Sequence, residues 1–402
     1  TLERAHNAHL SAGQCARAVR CAFWLGFRLL MRGEMGRASG WLGRAQRLLE
    51  QEAHECAEHG YLLLTLVEQR IEAGDFEGAY ANAADATAIG ARCGDADLIT
   101  CARHQQGRIR LQQGQVEAGL AVLDETMLAV TSGELSPLVT GLMYCSVIAA
   151  CQQIYALDRT REWTAAMAQW CEGQRDMVAF AGVCRVHRAE ILQLQGAWSE
   201  AIEEARRACS RTRHIDRRAT ASAFYQQGEV HRLRGELAAA EAAYRGASEL
   251  GMEPQPGLAL LRLAQGRVDA AATAIRRIAG TTVDRLKRMG LLPAYVEIML
   301  AAGEVQEARN ACCELEEIAR TVATGVPDAI AAQASGAVAL AEGDAHAALR
   351  ALRRAFEVWQ RIEAPYAAAR VRILIGLACR AVGDEDGAGM EIDAAKSAFE
   401  RL

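Results

Sequence analysis

The segment FAGVCRVHRAEILQLQGAW, residues 180–198, contains five side chains of types found in active sites, all within seven positions. These are Cys184, Arg185, His187, Arg188 and Glu190. A thiol near an imidazole and a carboxylate suggests nucleophilic catalysis, which requires a base placed to activate the nucleophile. The same side chains also suit a helix of a structural repeat that carries polar residues. The elements around the segment decide between these interpretations.

The phrase that ends this segment, QGAWSEA, recurs along the chain. In nine places a glycine is followed, five positions later, by a small residue. The glycines are Gly33, Gly74, Gly114, Gly196, Gly235, Gly266, Gly303, Gly343 and Gly383, and the small residues are Ala38, Ala79, Gly119, Ala201, Ala240, Ala271, Ala308, Ala348 and Ala388. Most intervals are close to 40 residues, and the interval of 82 after Gly114 spans two periods. Residues 155–170 therefore hold a divergent repeat, with Asp158 predicted in the glycine position and Trp163 in the small position.

This phrase predicts a helical hairpin. Glycine adopts the left-handed conformation that ends a helix, the following polar residue suits the start of the next helix, and the small residue lets the two helices approach closely. Amphipathic stretches flank each glycine, and a single hairpin cannot bury its apolar face without neighbours. The sequence thus predicts an all-α fold, an α-α superhelix forming a right-handed solenoid of about ten hairpins.

One domain is predicted to span residues 1–402. Its weakest joint is at 251–257, where Pro254 and Pro256 interrupt helix formation. The interval between Gly235 and Gly266 is only 31 residues, so the helix after these prolines must be short. The chain lacks an initiator methionine and stops on a helical pattern, so we expect a longer protein.

Composition narrows the function classes. The net charge of −5 gives no general attraction to nucleic acid, and no apolar run is long enough to span a membrane. Thirteen scattered cysteines in so long a chain favour reduced thiols in the cytoplasm. Neither Lys287 nor Lys396 follows a glycine, which excludes a P-loop.

The repeat resembles the tetratricopeptide repeat, although its period is near 40 rather than about 34 residues. The resemblance rests on a glycine before the turn and a small residue with a large apolar residue after it. The sets are Gly26 with Ala38 and Leu42, Gly228 with Ala240 and Tyr244, Gly336 with Ala348 and Leu352, and Gly376 with Ala388 and Ile392.

Longer segments resemble the repeat region of actinobacterial LuxR-type transcriptional regulators. Among them are LERAHNAHLSAGQCARAVRCAFWLGFRLLMRGEM, CRVHRAEILQLQGAW and EAPYAAARVRILIGLACRAVGDEDGAGMEIDAAKSAFERL. In those regulators a helix-turn-helix domain follows the repeats. The resemblance therefore implies such a domain beyond residue 402, so that this chain reaches DNA only through a domain it does not contain.

Three further candidate sites are weak. His6 with His9, and His54 with Cys56 and His59, offer too few ligands for a metal site, so we predict none. The basic run RRACSRTRHIDRR, residues 206–218, contains no aromatic residue, and its arginines suit a solvated helix end better than nucleic acid. Some tetratricopeptide repeats use lysines and asparagines to bind the terminal carboxylate of a peptide, and both residue types are scarce here. Arginine could still bind peptide carboxylates.

The central hairpins show an unusual polar pattern. Aligned on the glycines, Arg185 and Arg188, like Arg103, fall where the repeat usually places large apolar residues. The residues expected to face the concave wall are His104, Arg108, His187, Glu190, Tyr225, Gln226 and Glu229. Because an unpaired buried guanidinium costs several kcal/mol, the arginines must be satisfied. Either they pair with carboxylates such as Glu125, Glu190 or Glu229, or they line a wet pocket for a ligand.

The sequence therefore predicts a regulatory repeat domain that binds a protein, peptide or small-molecule effector in its concave groove. No enzymatic activity, catalytic residue, cofactor or membrane attachment is predicted. The alternative is a stand-alone scaffold for protein–protein assembly, and self-association into a homodimer is left open.

Overall fold

A computed structural model describes residues 1–50, 54–173, 178–213, 216–322 and 324–402. These ranges contain 21 α-helices and no β-strand. The fold is an all-α, α-α superhelix of the tetratricopeptide type, as the sequence predicts. None of the helices described is both long enough and apolar enough to cross a bilayer.

The chain groups into two compact units, residues 1–147 and 148–402. The boundary lies within helix α8. Unit 1 contains α1 (Leu2–Ser11), α2 (Cys15–Met31), α3 (Met35–Leu49), α4 (Ala57–Glu72), α5 (Phe76–Cys93), α6 (Ala96–Gln112), α7 (Val116–Ser132) and most of α8 (Pro137–Gln153).

Unit 2 contains the end of α8 and the remaining helices. These are α9 (Leu157–Gly173), α10 (Val178–Leu194), α11 (Trp198–Thr212), α12 (Arg217–Leu233), α13 (Leu237–Glu249), α14 (Gly257–Ala264), α15 (Val268–Thr281), α16 (Arg285–Ala301), α17 (Val305–Val322), α18 (Gly325–Ala341), α19 (Ala345–Arg361), α20 (Pro365–Ala381) and α21 (Glu385–Arg401). The helix after the proline joint, α14, has only eight residues, which confirms the predicted short helix.

Ten hairpins run from α2–α3 to α20–α21. The nine predicted glycines lie at their turns with φ between 73° and 86°, the left-handed region that glycine adopts without strain. The small residue five positions later is buried in all nine hairpins. The four glycines of the family-like sets also pack as the pattern requires. A Cβ at Gly26, Gly228, Gly336 or Gly376 would lie within 2.8 Å of Leu42, Tyr244, Leu352 or Ile392, respectively.

The prediction for the divergent repeat was wrong by three positions. The left-handed turn residue between α8 and α9 is Tyr155, with φ of 56°, and not Asp158, which lies in the first turn of α9. Five positions after Tyr155 comes Thr160, which is 1% exposed and takes the small-residue place instead of Trp163. The prediction failed because the turn residue here is a tyrosine instead of a glycine, and the buried residue is a threonine instead of an alanine or glycine.

The first helices of successive hairpins contact each other directly. In unit 1 this holds for α2, α4 and α6, and in unit 2 for α10, α12, α14, α16, α18 and α20. Within the ranges described, the second helices show no comparable set of mutual contacts. Since the inner side of a curved array is the more crowded one, the first helices line the inner wall of each unit.

Unit 2 also folds back on itself. Arg161 of α9 donates a hydrogen bond of 2.7 Å to the carbonyl oxygen of Ile362, and Thr324 donates one of 3.0 Å to that of Ile154. The Trp198 ring meets the Tyr366 ring edge-on at a centroid distance of 5.6 Å. The last hairpins of unit 2 therefore contact its first hairpins, a closure that the repeat pattern did not predict.

We predict that Gly119→Val lowers the free energy of unfolding by about 2 kcal/mol, because overpacking a close helix contact forces the backbone to move. A Cβ at Gly119 would lie 2.7 Å from Leu111 and 3.0 Å from the Gly107 carbonyl oxygen. Urea denaturation followed by circular dichroism measures the effect. Gly40→Val is the matched control, since nothing lies within 4 Å of a Cβ at this exposed helical glycine. Equal effects of the two substitutions would contradict the prediction.

Candidate functional site

The ten candidate binding residues are divided between the two units. Arg103, His104 and Arg108 lie on α6 of unit 1. The other seven lie on α10 and α12 of unit 2 and are Arg185, His187, Arg188, Glu190, Tyr225, Gln226 and Glu229.

Charged side chains of the inner wall recur at one position of the repeat. The residue six positions before the turn residue is charged in five hairpins, and we call these residues the inner row. The inner row comprises Glu68 and Arg108 in unit 1, and Glu190, Glu229 and Glu297 in unit 2. Sequence analysis identified three of the five. Applying the same count to every turn residue would have found Glu68 and Glu297.

In unit 1 the inner row is internally paired. Arg108 donates a hydrogen bond of 2.6 Å to Glu68 Oε1, and Gln105 donates one of 2.5 Å to the same oxygen. Arg108 also donates to Gln105 Oε1 at 2.8 Å. This network joins α4 to α6 across the inner wall and leaves the guanidinium with two protein acceptors.

His104 lies beside this network and is only 4% exposed. Burial lowers the pKa of its imidazole to about 3, and the positive charge of Arg108 acts in the same direction. A hydrogen bond with the backbone of Ser146 opposes this shift. His104 is therefore neutral at physiological pH.

In unit 2 a group of enclosed charges surrounds Glu229. Arg232 donates a hydrogen bond of 2.7 Å to Glu229 Oε2, and the Tyr244 hydroxyl donates to Glu229 Oε1. The Glu229 and Arg232 side chains are only 13% and 14% exposed. Burial raises the pKa of Tyr225 well above its ordinary value, and the nearby carboxylates of Glu229 and Glu190 act in the same direction.

Glu190 has different partners. It accepts a hydrogen bond from the amide of Gln152 and lies 3.7 Å from Nδ1 of His187. Its side chain keeps 40% of its surface exposed. His187 is 8% exposed, and its Nδ1 has no hydrogen-bond partner in the part of the chain that is described. Gln226, one hairpin further on, is buried and donates to the amide oxygen of Gln193.

Besides Arg232, two more residues that the sequence analysis missed complete this wall. Arg370 of α20 forms a 2.9 Å ion pair with Glu297 of α16. Burial opposes the charged form of Arg370, but Glu297 and Tyr366 raise its pKa, and the positive charge of Arg232 partly counters that rise. Arg232 and Arg370 are therefore near each other, although 138 positions separate them in the sequence. We call His187, Glu190, Tyr225, Gln226, Glu229, Arg232, Glu297 and Arg370 the inner cluster.

The expectation that arginines fill core positions needs correction. Arg103 and Arg188 are exposed, while Arg185 is half-buried. The helix register turns the first two toward solvent, so they do not carry the desolvation cost that a core position would impose. Some nearby polar positions have partners within the hairpin array. Arg110, for example, donates a hydrogen bond of 2.8 Å to the Tyr80 hydroxyl.

Arg103 and Arg185 share a second register, eleven residues before the turn. Arg103 pairs with Glu125 at 3.1 Å, and Arg185 pairs with Glu204 at 2.6 Å. The equivalent residue of the last hairpin, Arg372, pairs with Glu391 at 2.7 Å. In each case the carboxylate lies on the second helix of the same hairpin. This recurrence is the structural pairing that the sequence analysis weighed against a ligand pocket, and it directs Arg103 and Arg185 away from the inner wall.

The weaker candidates have local partners. His6 is buried against Trp41 and its Nδ1 lies 2.8 Å from the Ala18 carbonyl oxygen, while His9 bonds to Gln14. Cys56 and His59 form a capping box at the start of α4. Across the described ranges, no group of three or more His, Cys, Asp or Glu residues could hold a metal.

The basic run at 206–218 is partly used in capping. Arg217 donates hydrogen bonds to the carbonyl oxygens of Leu250 and Glu249, at the end of α13. His214 and Ile215 of this run lie outside the described residues.

Stacked hairpins with a polar inner row define a tetratricopeptide-like helical repeat protein. No family model and no curated protein matches the sequence. Similar solved structures include a Rap protein complexed with competence and sporulation factor, 12% identical, with a TM-score of 0.49 and coverage of 96% of this chain and 98% of that one. The hetero-tetramer Cut9–Hcn1 of APC/C gives 13% identity, a TM-score of 0.43 and coverage of 98% and 88%. A tetratricopeptide repeat protein from Parabacteroides merdae gives 15% identity, a TM-score of 0.37 and coverage of 79% and 98%.

We predict that His104 makes unit 1 acid-sensitive. Its folded pKa of about 3 lies below the ordinary 6.5, so its contribution is complete above pH 6.5 and is lost as the pH falls toward 3. Between these two pH values the unfolded chain binds one more proton at His104 than the folded chain does. The free energy of unfolding therefore falls by up to about 1.4 kcal/mol for each pH unit of acidification. Urea unfolding between pH 7 and 4 should show a shallower acid slope for His104→Gln. His346→Gln, at an exposed histidine, is the control, and an unchanged slope for His104→Gln would refute the assignment.

We also predict strong coupling between Arg232 and Glu229. Arg232→Met leaves a poorly compensated carboxylate in an enclosed site and should cost about 3 kcal/mol of unfolding free energy. The double variant Arg232→Met/Glu229→Gln should cost at least about 1 kcal/mol less than the sum of the single variants. Arg380→Met, which removes the exposed pair with Glu385, should cost less than about 0.5 kcal/mol. Additive effects at Arg232 and Glu229 would show that the two side chains are not coupled.

Proposed function

We propose that this chain is the effector-binding repeat region of a LuxR-type transcriptional regulator. Its effector, a peptide or small molecule, contacts the inner cluster of unit 2, and DNA is bound by a helix-turn-helix domain encoded beyond Leu402. The role is regulatory and not enzymatic, and it belongs in the cytoplasm. The sequence resemblance supports the regulator assignment, and the fold supplies a surface suited to binding.

The observation that carries the proposal is the arrangement of His187 and Glu190. A buried polar atom without a hydrogen bond costs about 1–3 kcal/mol, and Nδ1 of His187 is such an atom within the described residues. Beside it, Glu190 accepts a hydrogen bond from a neutral amide and keeps part of its carboxylate exposed. A ligand that donates hydrogen bonds, such as an amine or amide, can bind the exposed part of the Glu190 carboxylate next to this imidazole.

The other carboxylates of the inner cluster, Glu229 and Glu297, are already ion-paired and so provide a rigid frame. Glu229 is held by Arg232 and Tyr244, and Glu297 is held by Arg370. A frame of ion pairs next to His187 and Glu190 favours selective binding at these two residues, since a preorganised site loses less entropy on binding.

Because unit 2 closes on itself, a ligand bound at the inner cluster can affect hairpins that are far apart in the sequence. The inner cluster draws side chains from α10, α12, α16 and α20, which belong to hairpins far apart in the sequence. A ligand that contacts more than one of these helices stabilises one curvature of the array over another. A domain attached after α21 would be repositioned by that change.

We predict that an equimolar mixture of synthetic hexapeptides with free amino termini slows amide hydrogen exchange in α10 and α12 by at least about threefold. Glu190→Gln should abolish the slowing, because it removes the charge that an amine recognises. Glu200→Gln makes the same change at an exposed position of α11 and should retain the effect. Protection confined to the second helices, or protection unaffected by Glu190→Gln, would contradict the assignment of the site.

The regulator assignment has its own test. We expect the gene to continue past Leu402 into a helix-turn-helix segment, and Glu190→Gln in the full-length protein to abolish effector-dependent expression of a reporter. A stop codon shortly after Leu402, together with stable protein partners in a pull-down, would instead support the stand-alone scaffold.

A further inference from the structure

Two cysteines of unit 2 meet outside the inner cluster. Cys171 lies near the end of α9 and Cys184 lies on α10, the helix that packs against it. Cys184 is buried with 5% exposure, whereas Cys171 is half-buried. A side-chain hydrogen bond joins the two sulfurs, and no disulfide links them. One thiol with access to solvent is thus backed by a second thiol on the neighbouring helix.

Positive charge surrounds this pair. Arg185 follows Cys184 directly, and Arg211 lies in the last turn of α11. The start of α10 packs closely on that turn, since a Cβ at Gly182 would lie 2.1 Å from Cγ2 of Thr212. The hydrogen bond from Cys184 lowers the pKa of the Cys171 thiol, and Arg185 and Arg211 act in the same direction against burial. A lower thiol pKa raises the fraction of thiolate, the nucleophilic form.

Other cysteines have the opposite electrostatic environment. Burial raises the pKa of the Cys101 and Cys209 thiols, and it raises that of Cys312 to about 12. Cys209 is half-buried like Cys171 and lies on the adjacent helix α11, but its sulfur contacts Gln227 and the Thr220 carbonyl oxygen instead of a second thiol. Cys209 is therefore a natural comparison within the same unit.

We propose that Cys171 and Cys184 form a peroxide-sensitive pair that converts reversibly into a disulfide between α9 and α10. This inference is independent of the proposed effector function. The Cys171 thiolate attacks one oxygen of hydrogen peroxide, the O–O bond breaks, and hydroxide leaves while Cys171 becomes a sulfenic acid. The Cys184 sulfur then attacks the Cys171 sulfur, the S–O bond breaks, and the Cys184 proton leaves with hydroxide as water.

The electron balance is complete. The two thiols lose two electrons, and one peroxide is reduced to two waters. A small dithiol reverses the reaction by thiol–disulfide exchange, in which the dithiol is oxidised and both cysteines are regenerated.

The test uses the reduced chain of residues 1–402 with hydrogen peroxide at pH 7, followed by alkylation and peptide mass spectrometry. The expected product is a Cys171–Cys184 cross-linked peptide that dithiothreitol removes. Cys171 should lose its free thiol at least about tenfold faster than Cys209 or the exposed Cys93. No cross-link under conditions that oxidise Cys93, or equal rates at the three thiols, would overturn the proposal.

Three variants separate the roles. Cys184→Ser should leave Cys171 as a sulfenic acid that dimedone traps, whereas Cys171→Ser should abolish both products. Arg211→Gln removes an exposed charge and should shift the pH dependence of Cys171 oxidation upward without moving that of Cys93. Cys209→Ser is the matched control and should leave the cross-link unchanged. Circular dichroism verifies that each variant is folded. Dimedone labelling of Cys184→Ser no faster than at Cys93 would also overturn the proposal.

Discussion

The structure depends on the close approach of two helices at each turn. A residue with positive φ reverses the chain, and a small buried residue five positions later lets the second helix lie against the first. Each hairpin then presents a broad apolar face that only a neighbouring hairpin can cover, so stability comes from stacking and not from any single repeat. Where glycine is absent, the constraint still holds. Tyr155 adopts the left-handed conformation, and the small hydroxyl residue Thr160 fills the buried place.

The same stacking distributes charge in a regular way. Residues eleven positions before the turn face their own second helix, and there arginine pairs with glutamate in three hairpins. Residues six positions before the turn face the inner wall, where Glu190 and Glu297 meet side chains of other hairpins and Glu229 meets side chains of its own hairpin. One register therefore supplies pairing within hairpins, and the other supplies the proposed binding surface. The segment 180–198 contains one residue of each register, Arg185 and Glu190, and it also contains Cys184.

Closure of unit 2 changes what these charges do. Tyr155, Leu157 and Leu194 pack against the apolar cluster centred on α18–α20, and Tyr366 and Leu402 pack against the cluster around Trp198. These apolar contacts hold the ends of unit 2 together, and the inner cluster lies among the first helices within. Arg232 and Arg370 can be neighbours there because each has a carboxylate partner, Glu229 and Glu297 respectively. Without those partners, two guanidinium groups in an enclosed site would repel each other strongly.

What the sequence alone determined is the local and periodic part of the molecule. The glycine spacing predicted the all-α hairpin array, nine of ten turn residues, the buried small residues and the short helix α14, because helix termination and close packing require particular residue types at particular spacings. It missed Tyr155 and Thr160, because the residue types do not reveal a turn in which tyrosine replaces glycine and threonine replaces the small residue. It also placed Glu190 and Glu229 on the inner wall, because register follows from counting back to the turn.

Only the tertiary structure decided which distant residues meet. The curvature of unit 2 sums small rotations over many hairpins, and no local pattern encodes that sum. The contacts of Arg161 with Ile362, of Trp198 with Tyr366, and the proximity of Arg232 to Arg370 all depend on it. The exposure of Arg188 and the meeting of Cys171 with Cys184 likewise follow from how each helix is rotated against its neighbours.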